Sequence, residues 1–157
     1  MLAAVTGMRC GEIQALRFQD LGADCLYVRG SWNNLDGIKP PKNNETRTVE
    51  LPFPELMASM LDLARGNPWG VAPDSFVFWS EAKSDVPMWG NVFLDGLRKA
   101  LSQIGFSQDE ASKYLFHGWR HFYTSYMVNK LDKKLLKSQT GHKTDVMLAH
   151  YGLCPIM

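Results

Sequence analysis

Thr6-Gly-Met-Arg-Cys-Gly-Glu12 stands almost at the start of the chain and sets how the rest is read. Ahead of it, Met1 to Val5 has the character of a last helical turn, and Thr6-Gly7 supplies the stop, because a glycine just past a helix accepts the left-handed conformation that ends it. A helix end without a beginning predicts further sequence upstream of Met1. Behind the stretch, Ile13, Leu16 and Arg17 recur at helical spacing with Leu21 beyond, so the spacing predicts a second helix over Arg9 to Phe18. That helix puts Arg9 and Glu12 three residues apart on one face.

Further along, Cys25-Leu-Tyr-Val-Arg-Gly30 and Thr46-Arg-Thr-Val-Glu-Leu51 are short and rich in β-branched or apolar residues, with a polar Asn, Gly, Pro and Lys stretch between them. This pattern predicts a β-hairpin with a long tip. Pro52 and Pro54 open a helix through about Arg65, carrying Leu56, Met57, Met60, Leu61 and Leu63. Gly66 to Asp74 reads as a loop and Phe76 to Trp79 as a short extended segment. Helices follow over Val92 to Ile104, Asp109 to Tyr114, His117 to Asn129 and Lys133 to Gln139, and a last one starts at Thr144 as N-cap. The expected fold is mainly α with one small antiparallel sheet.

The composition agrees with a single folded unit over residues 1–157. Hydrophobic residues make up 45% and charged residues 21%, which excludes a disordered or fibrous chain. No apolar run is long enough to cross a bilayer and the N-terminus lacks a signal peptide, so a cytoplasmic location is expected. Cys10, Cys25 and Cys154 are widely spaced and odd in number, which argues for reduced thiols over a disulfide framework or metal knuckle. The net charge is only +1, but it is unevenly spread. Between Lys113 and Lys143 seven basic residues face only Asp132, a local excess that could attract a polyanion.

Four further features stand out: Lys42 in the hairpin tip, His117-Gly-Trp-Arg120, Gly141-His142, and Tyr151 nine residues after His142. Each alone has a bland explanation as a loop lysine, a part-buried histidine or a packed tyrosine. In order, and together with the opening stretch, they resemble the catalytic domain of the tyrosine recombinases, or phage integrases, whose pattern runs T-G-x-R-x-x-E, hairpin Lys, H-x-x-R, G-H, then Tyr. Leu16, Phe18 and Asp20 match the family's Leu-x-Trp-x-Asp continuation, and Arg47-Thr-Val-Glu-Leu-Pro52 resembles the strand after its lysine. The resemblance covers essentially the whole chain.

It implies the tyrosine recombinase catalytic-domain fold and metal-independent, cofactor-free DNA cleavage and rejoining through a 3′-phosphotyrosyl intermediate. Arg9 and Arg120 would clamp the non-bridging phosphate oxygens, because a guanidinium is a permanently charged, forked donor. Tyr151 would attack phosphorus, His117 would assist the tyrosine proton, His142 would donate to a phosphate oxygen, and Lys42 would protonate the leaving 5′-oxygen. Glu12 would orient Arg9 or His117. Lys39 lies in the same tip as Lys42 and competes for the acid role; Lys42 is preferred by motif register. His117 and His121 have the spacing of a zinc pair, but Gly118 stands where a metalloprotease has its glutamate, so no metal site is expected.

The partners implied are double-stranded DNA and, for a full-length protein, other recombinase subunits in a synaptic tetramer. Lys130, Lys133, Lys134, Lys137 and Lys143 are the candidate contacts to the DNA backbone. Trp119 departs from the usual leucine, which should alter packing only. The short stretches before Thr6 and after Tyr151 lead to the expectation of a catalytic fragment without the family's N-terminal DNA-clamping domain. Two other readings remain open at this level: a type IB topoisomerase, which shares the chemistry but rejoins parental strands, and an idle DNA-binding remnant.

Overall fold

The computed structural model describes residues 1–40, 46–142, 144–146 and 148. Helix α1 (Leu2–Thr6) ends at Gly7, whose φ of 65° is the left-handed cap that the sequence demands. Helix α2 is shorter than the apolar spacing predicts, Cys10–Gln14, with Arg9 extended as its N-cap. The backbone leaves the helix because it is claimed elsewhere. Val77 N donates to Leu16 O at 3.0 Å and Phe18 N to Ser75 O at 2.9 Å, drawing residues 16–18 into a bridge between Arg17 and Phe76. A single 3-10 turn at Phe18–Asp20 follows, closed by the Asp20 carboxylate, which accepts from Arg17 N at 2.9 Å.

Strands β1 (Cys25–Val28) and β4 (Arg47–Glu50) pair antiparallel, with Leu26 opposite Val49 and Val28 opposite Arg47. These four share the inward face, so Arg47 is a charged residue pointing with Leu26, Val28 and Val49 toward the core. The polar segment between them is more structured than a long tip. It holds a second hairpin, β2 (Ser31–Asn33) with β3 (Gly37–Lys39), turned by Asn34 to Asp36. Lys39 therefore belongs to a strand, ion-paired to Asp36 at 2.7 Å, and not to a flexible tip.

Helix α3 (Pro54–Arg65) starts on a proline, where a missing N–H costs nothing, and buries Met57, Met60 and Ala64 along one stripe. Helices α4 (Gly90–Gln103), α5 (Gln108–Ser112), α6 (Gly118–Met127) and α7 (Lys133–Thr140) complete the described elements. The main core gathers Leu2, Met8, Ile13, Leu16, Leu26, Val28, Val49, Leu51, Met57, Met60 and Val77, with Trp119 packed at its margin as expected for a packing substitution. A smaller cluster of Tyr123, Leu136 and Leu148 joins α6, α7 and the chain beyond them. The architecture is thus helix-rich with small antiparallel sheets, and no helix among the described residues is long and apolar enough to cross a membrane.

Candidate active site

Gly7 does two things for the residues around it. Its left-handed turn redirects the chain so that Arg9 caps α2, and it lets α1 close on α6, since a Cβ there would lie 2.6 Å from Tyr123 Cδ1. The freed Gly7 carbonyl accepts from Arg120 Nη1 at 2.8 Å. Arg120 comes from the buried face of α6 and is only 2% exposed. It is therefore not one of the surface cations of the basic segment, which the sequence count had included.

Arg9 meets Glu12 twice. The carboxylate accepts from Arg9 N at 2.8 Å, capping the helix, and from Arg9 Nη1 at 2.9 Å. The other side of the same carboxylate is held by Arg47, whose Nη1 and Nη2 donate to Oε1 and Oε2 at 2.9 and 2.6 Å. Burial alone would push the Glu12 carboxyl up; the hydrogen bonds and charge of Arg47, then of Arg9, outweigh it and hold the group below the usual range. Glu12 thus contacts Arg9, one of the two residues it was expected to act on, and its second partner is Arg47.

The remaining arc runs through α7. Arg47 Nε donates to Gln139 O at 3.2 Å, and Gln139 Oε1 accepts from Glu50 N at 3.1 Å, so β4 is pinned to the end of α7. Gly141 then takes a φ of 69° and lies against the Arg47 guanidinium. The next residue, His142, is 7% exposed. Thr140 Oγ1 donates to Leu136 O at 2.6 Å, so toward His142 Nδ1, 2.7 Å away, it acts as acceptor. That contact puts the ring proton on Nδ1, and Arg120 Nη2 lies 3.2 Å from Nε2 and 3.5 Å from Nδ1, nearly equidistant from the two ring nitrogens. Burial first, then the charges of Arg120, Arg9, Arg47 and His117, bring the His142 pKa down to about 4.

These contacts close a ring: Gly7, Arg120, His142, Gly141, Arg47, Glu12 and Arg9, which is two residues from Gly7. Of its guanidiniums, Arg9 and Arg47 bind the one carboxylate, Glu12, while Arg120 binds the Gly7 carbonyl, so these four named groups carry two more positive charges than negative. His117 caps α6 beside the ring, exposed, with its imidazole edge-on to His121 at 4.9 Å between centroids. Its partial burial first, then the charges of His121, Arg120 and Arg9, push its pKa down, which favours the neutral ring.

The structure therefore brings together Arg9, Glu12, Arg120 and His142, with His117 alongside. Lys42, Lys143 and Tyr151 lie outside the described residues. Lys130 lies in the turn after α6, ten residues past Arg120, and stacks on Tyr126 with Nζ 3.2 Å from the ring centroid. Lys133 and Lys134 are exposed in the first turn of α7, and Lys137 is half-buried and ion-paired to Asp145 at 2.8 Å. Two members of the site went unassigned in the sequence, Arg47 and Thr140. The alternation of β4 carried a signal for the first, since it places an arginine on the same face as Val49.

The phage integrase family matches the chain over residues 1–152. None of the curated proteins matches it. Among solved structures, the Tn1549 transposon integrase in complex with a circular intermediate DNA is similar at 20% identity and a TM-score of 0.73, over 96% of this chain and 51% of that one. The XerA recombinase is similar at 19% identity and a TM-score of 0.70, over 99% and 52%. The XerH site-specific recombinase bound to its difH substrate is similar at 21% identity and a TM-score of 0.67, over 96% and 40%. At these identities the likeness is one of fold, and the chain spans about half the length, or less, of these structures. With its motifs in order and its arginines and histidine closed into one ring, the chain belongs to the phage integrase family.

Proposed function

We propose that this chain carries the strand-cleaving chemistry of a site-specific DNA recombinase. The observation that supports the reading most is the ring itself, which draws residues from positions 7 to 142 around a net positive charge with one exposed guanidinium, Arg9, at its edge. Such a set suits the phosphorane of a phosphodiester under attack, where negative charge grows on the non-bridging oxygens. The Tn1549 integrase and XerH, similar in fold, were solved with DNA.

In this mechanism the Tyr151 hydroxyl oxygen attacks the scissile phosphorus. The new bond is a 3′-phosphotyrosyl ester and the bond broken is that to the 5′-oxygen, so the ester energy is kept for rejoining to another strand. Neutral His117 takes the tyrosine proton, and Lys42 gives one to the departing 5′-oxygen. Arg9 and Arg120 hold the non-bridging oxygens. His142 donates to one of them, which requires its Nδ1 proton to leave Thr140 or the ring to change tautomer as phosphate enters. Integration and excision both use this step on double-stranded DNA, with paired subunits supplying the second strand exchange.

The test is a nicked suicide duplex that traps the covalent intermediate. The chain should form a protein–DNA adduct that resists denaturing gel electrophoresis, and Tyr151→Phe, which removes one oxygen, should abolish it. Adduct formation by the Phe variant would overturn the assignment of the nucleophile.

A further inference from the structure

Arg47 takes no part in the phosphate chemistry above, yet it touches both arcs of the ring. Its fork grips both oxygens of Glu12, and its Nε reaches Gln139 O at the end of the helix that delivers His142. The two arginines on Glu12 differ in exposure: the Arg47 side chain is 15% exposed and that of Arg9 42%. A buried carboxylate paired with Arg9 alone would form a neutral couple, and an arriving phosphate would meet a dipole. With Arg47 also on the carboxylate, the three groups carry one surplus positive charge, and the member that faces solvent is Arg9.

We infer that Arg47 is a positioning residue that takes up the negative charge of Glu12, so that Glu12 orients Arg9 without neutralising it. The inference rests on the reading of Arg9 as a phosphate ligand. The same side chain links β4, the strand that begins five residues after Lys42, to the turn that carries His142. The planar fork meets two carboxylate oxygens at once, and the positive charge it brings to Glu12, which a lysine also carries, is what leaves Arg9 unneutralised.

The test compares wild type, Arg47→Met, Arg47→Lys and the double variant Arg47→Met/Glu12→Gln, with folding checked by circular dichroism. Two readouts are used: the single-turnover rate constant for adduct formation on the suicide duplex, and binding of inorganic phosphate followed by the Arg9 Nε–Hε resonance. Arg47→Met should lower the rate constant about 10- to 100-fold and weaken phosphate binding. The double variant should recover much of both, because removing the carboxylate charge restores the surplus on Arg9. A scaffolding role alone predicts the opposite, a double variant no better than Arg47→Met, or a smaller reacting fraction at an unchanged rate constant; either result overturns the inference. If wild type forms no adduct, the strand-cleavage reading fails, while the phosphate titration still decides Arg47 by the same ordering. If Arg47→Met does not fold, Arg47→Lys decides: it keeps the charge and should bind phosphate within a few-fold of wild type, and loss of binding overturns the inference.

Discussion

Acid should loosen this protein through His142. The imidazole is 7% exposed, bonded through Nδ1 to Thr140, and close to the Arg120 guanidinium. Burial disfavours a charged ring here, and a proton added to Nε2 would also set two cations side by side, so the pKa falls from 6.5 to about 4. The sign follows from proton counts. Between those two values the unfolded chain holds a proton on this residue that the folded chain refuses, so stability rises with pH across the window. Above about pH 6.5 the effect is complete and flat; below about pH 4 both states are protonated and the loss is complete. The shift corresponds to a ceiling of about 3 kcal/mol, and relaxation of the ring toward water reduces it to about 2 kcal/mol. Urea unfolding of wild type and His142→Asn between pH 4.5 and 8 reads it directly. Asparagine can still donate to Thr140 Oγ1 but does not titrate, and the other acids and histidines cancel in the difference. Wild type should lose about 2 kcal/mol more than the variant on going from pH 7.5 to 4.5. Parallel curves, or an NMR titration placing His142 near its ordinary value, would refute the reasoning.

Other perturbations follow from the same contacts. A Cβ on Gly11 would lie 2.5 Å from Trp32 O and 2.6 Å from Ser31 Oγ, so Gly11→Ala should cost about 1–3 kcal/mol in denaturant unfolding; an unchanged midpoint would show that β2 yields freely. A substrate with sulfur in place of the 5′-leaving oxygen needs no acid, so it should restore cleavage to Lys42→Ala and not to Arg9→Ala, and Lys39→Ala should cleave normally because Lys39 is paired to Asp36. If Lys39→Ala is the variant that sulfur rescues, the acid is the other lysine. Replacing Lys133 and Lys134 together should flatten the slope of log K against log salt by up to about 2 in a fluorescence anisotropy titration with duplex DNA; an unchanged slope would take both off the DNA.

The order and kind of the elements were legible because they follow from local chemistry. Gly7 ends α1 and Pro54 opens α3, and each acts within a few residues of itself. What the sequence misplaced was decided by partners far away in the chain. The helical spacing of Ile13, Leu16 and Arg17 is real, but the backbone at 16–18 bonds to residues 75–77, and those bonds end the helix early. The second hairpin was hidden for a different reason. Asn33 to Gly37 is ordinary turn chemistry, but strands of three residues have too little alternation to stand out from the polar segment around them.

The site shows the same division between local and distant causes. The resemblance placed Arg9, Glu12, His117, Arg120 and His142 in order, but it could not say which charges cancel. Glu12 and Arg47 are 35 residues apart, and only the pairing of β4 with β1 and its contact with α7 bring them together. Arg120 makes the point in reverse. Counted along the chain it adds to a basic segment; folded, it lies under the surface, hydrogen-bonded to Gly7 O. Lys137 is offset by Asp145, and Lys130 rests on the Tyr126 ring. Of the described cations in that segment, Lys113, Lys133 and Lys134 are the exposed ones without such an assignment, so the diffuse charge that draws in a duplex and the buried charge that would act on one phosphate belong to different residues. Arg120→Ala should accordingly reduce cleavage far more than duplex affinity, while the lysine pair should do the reverse.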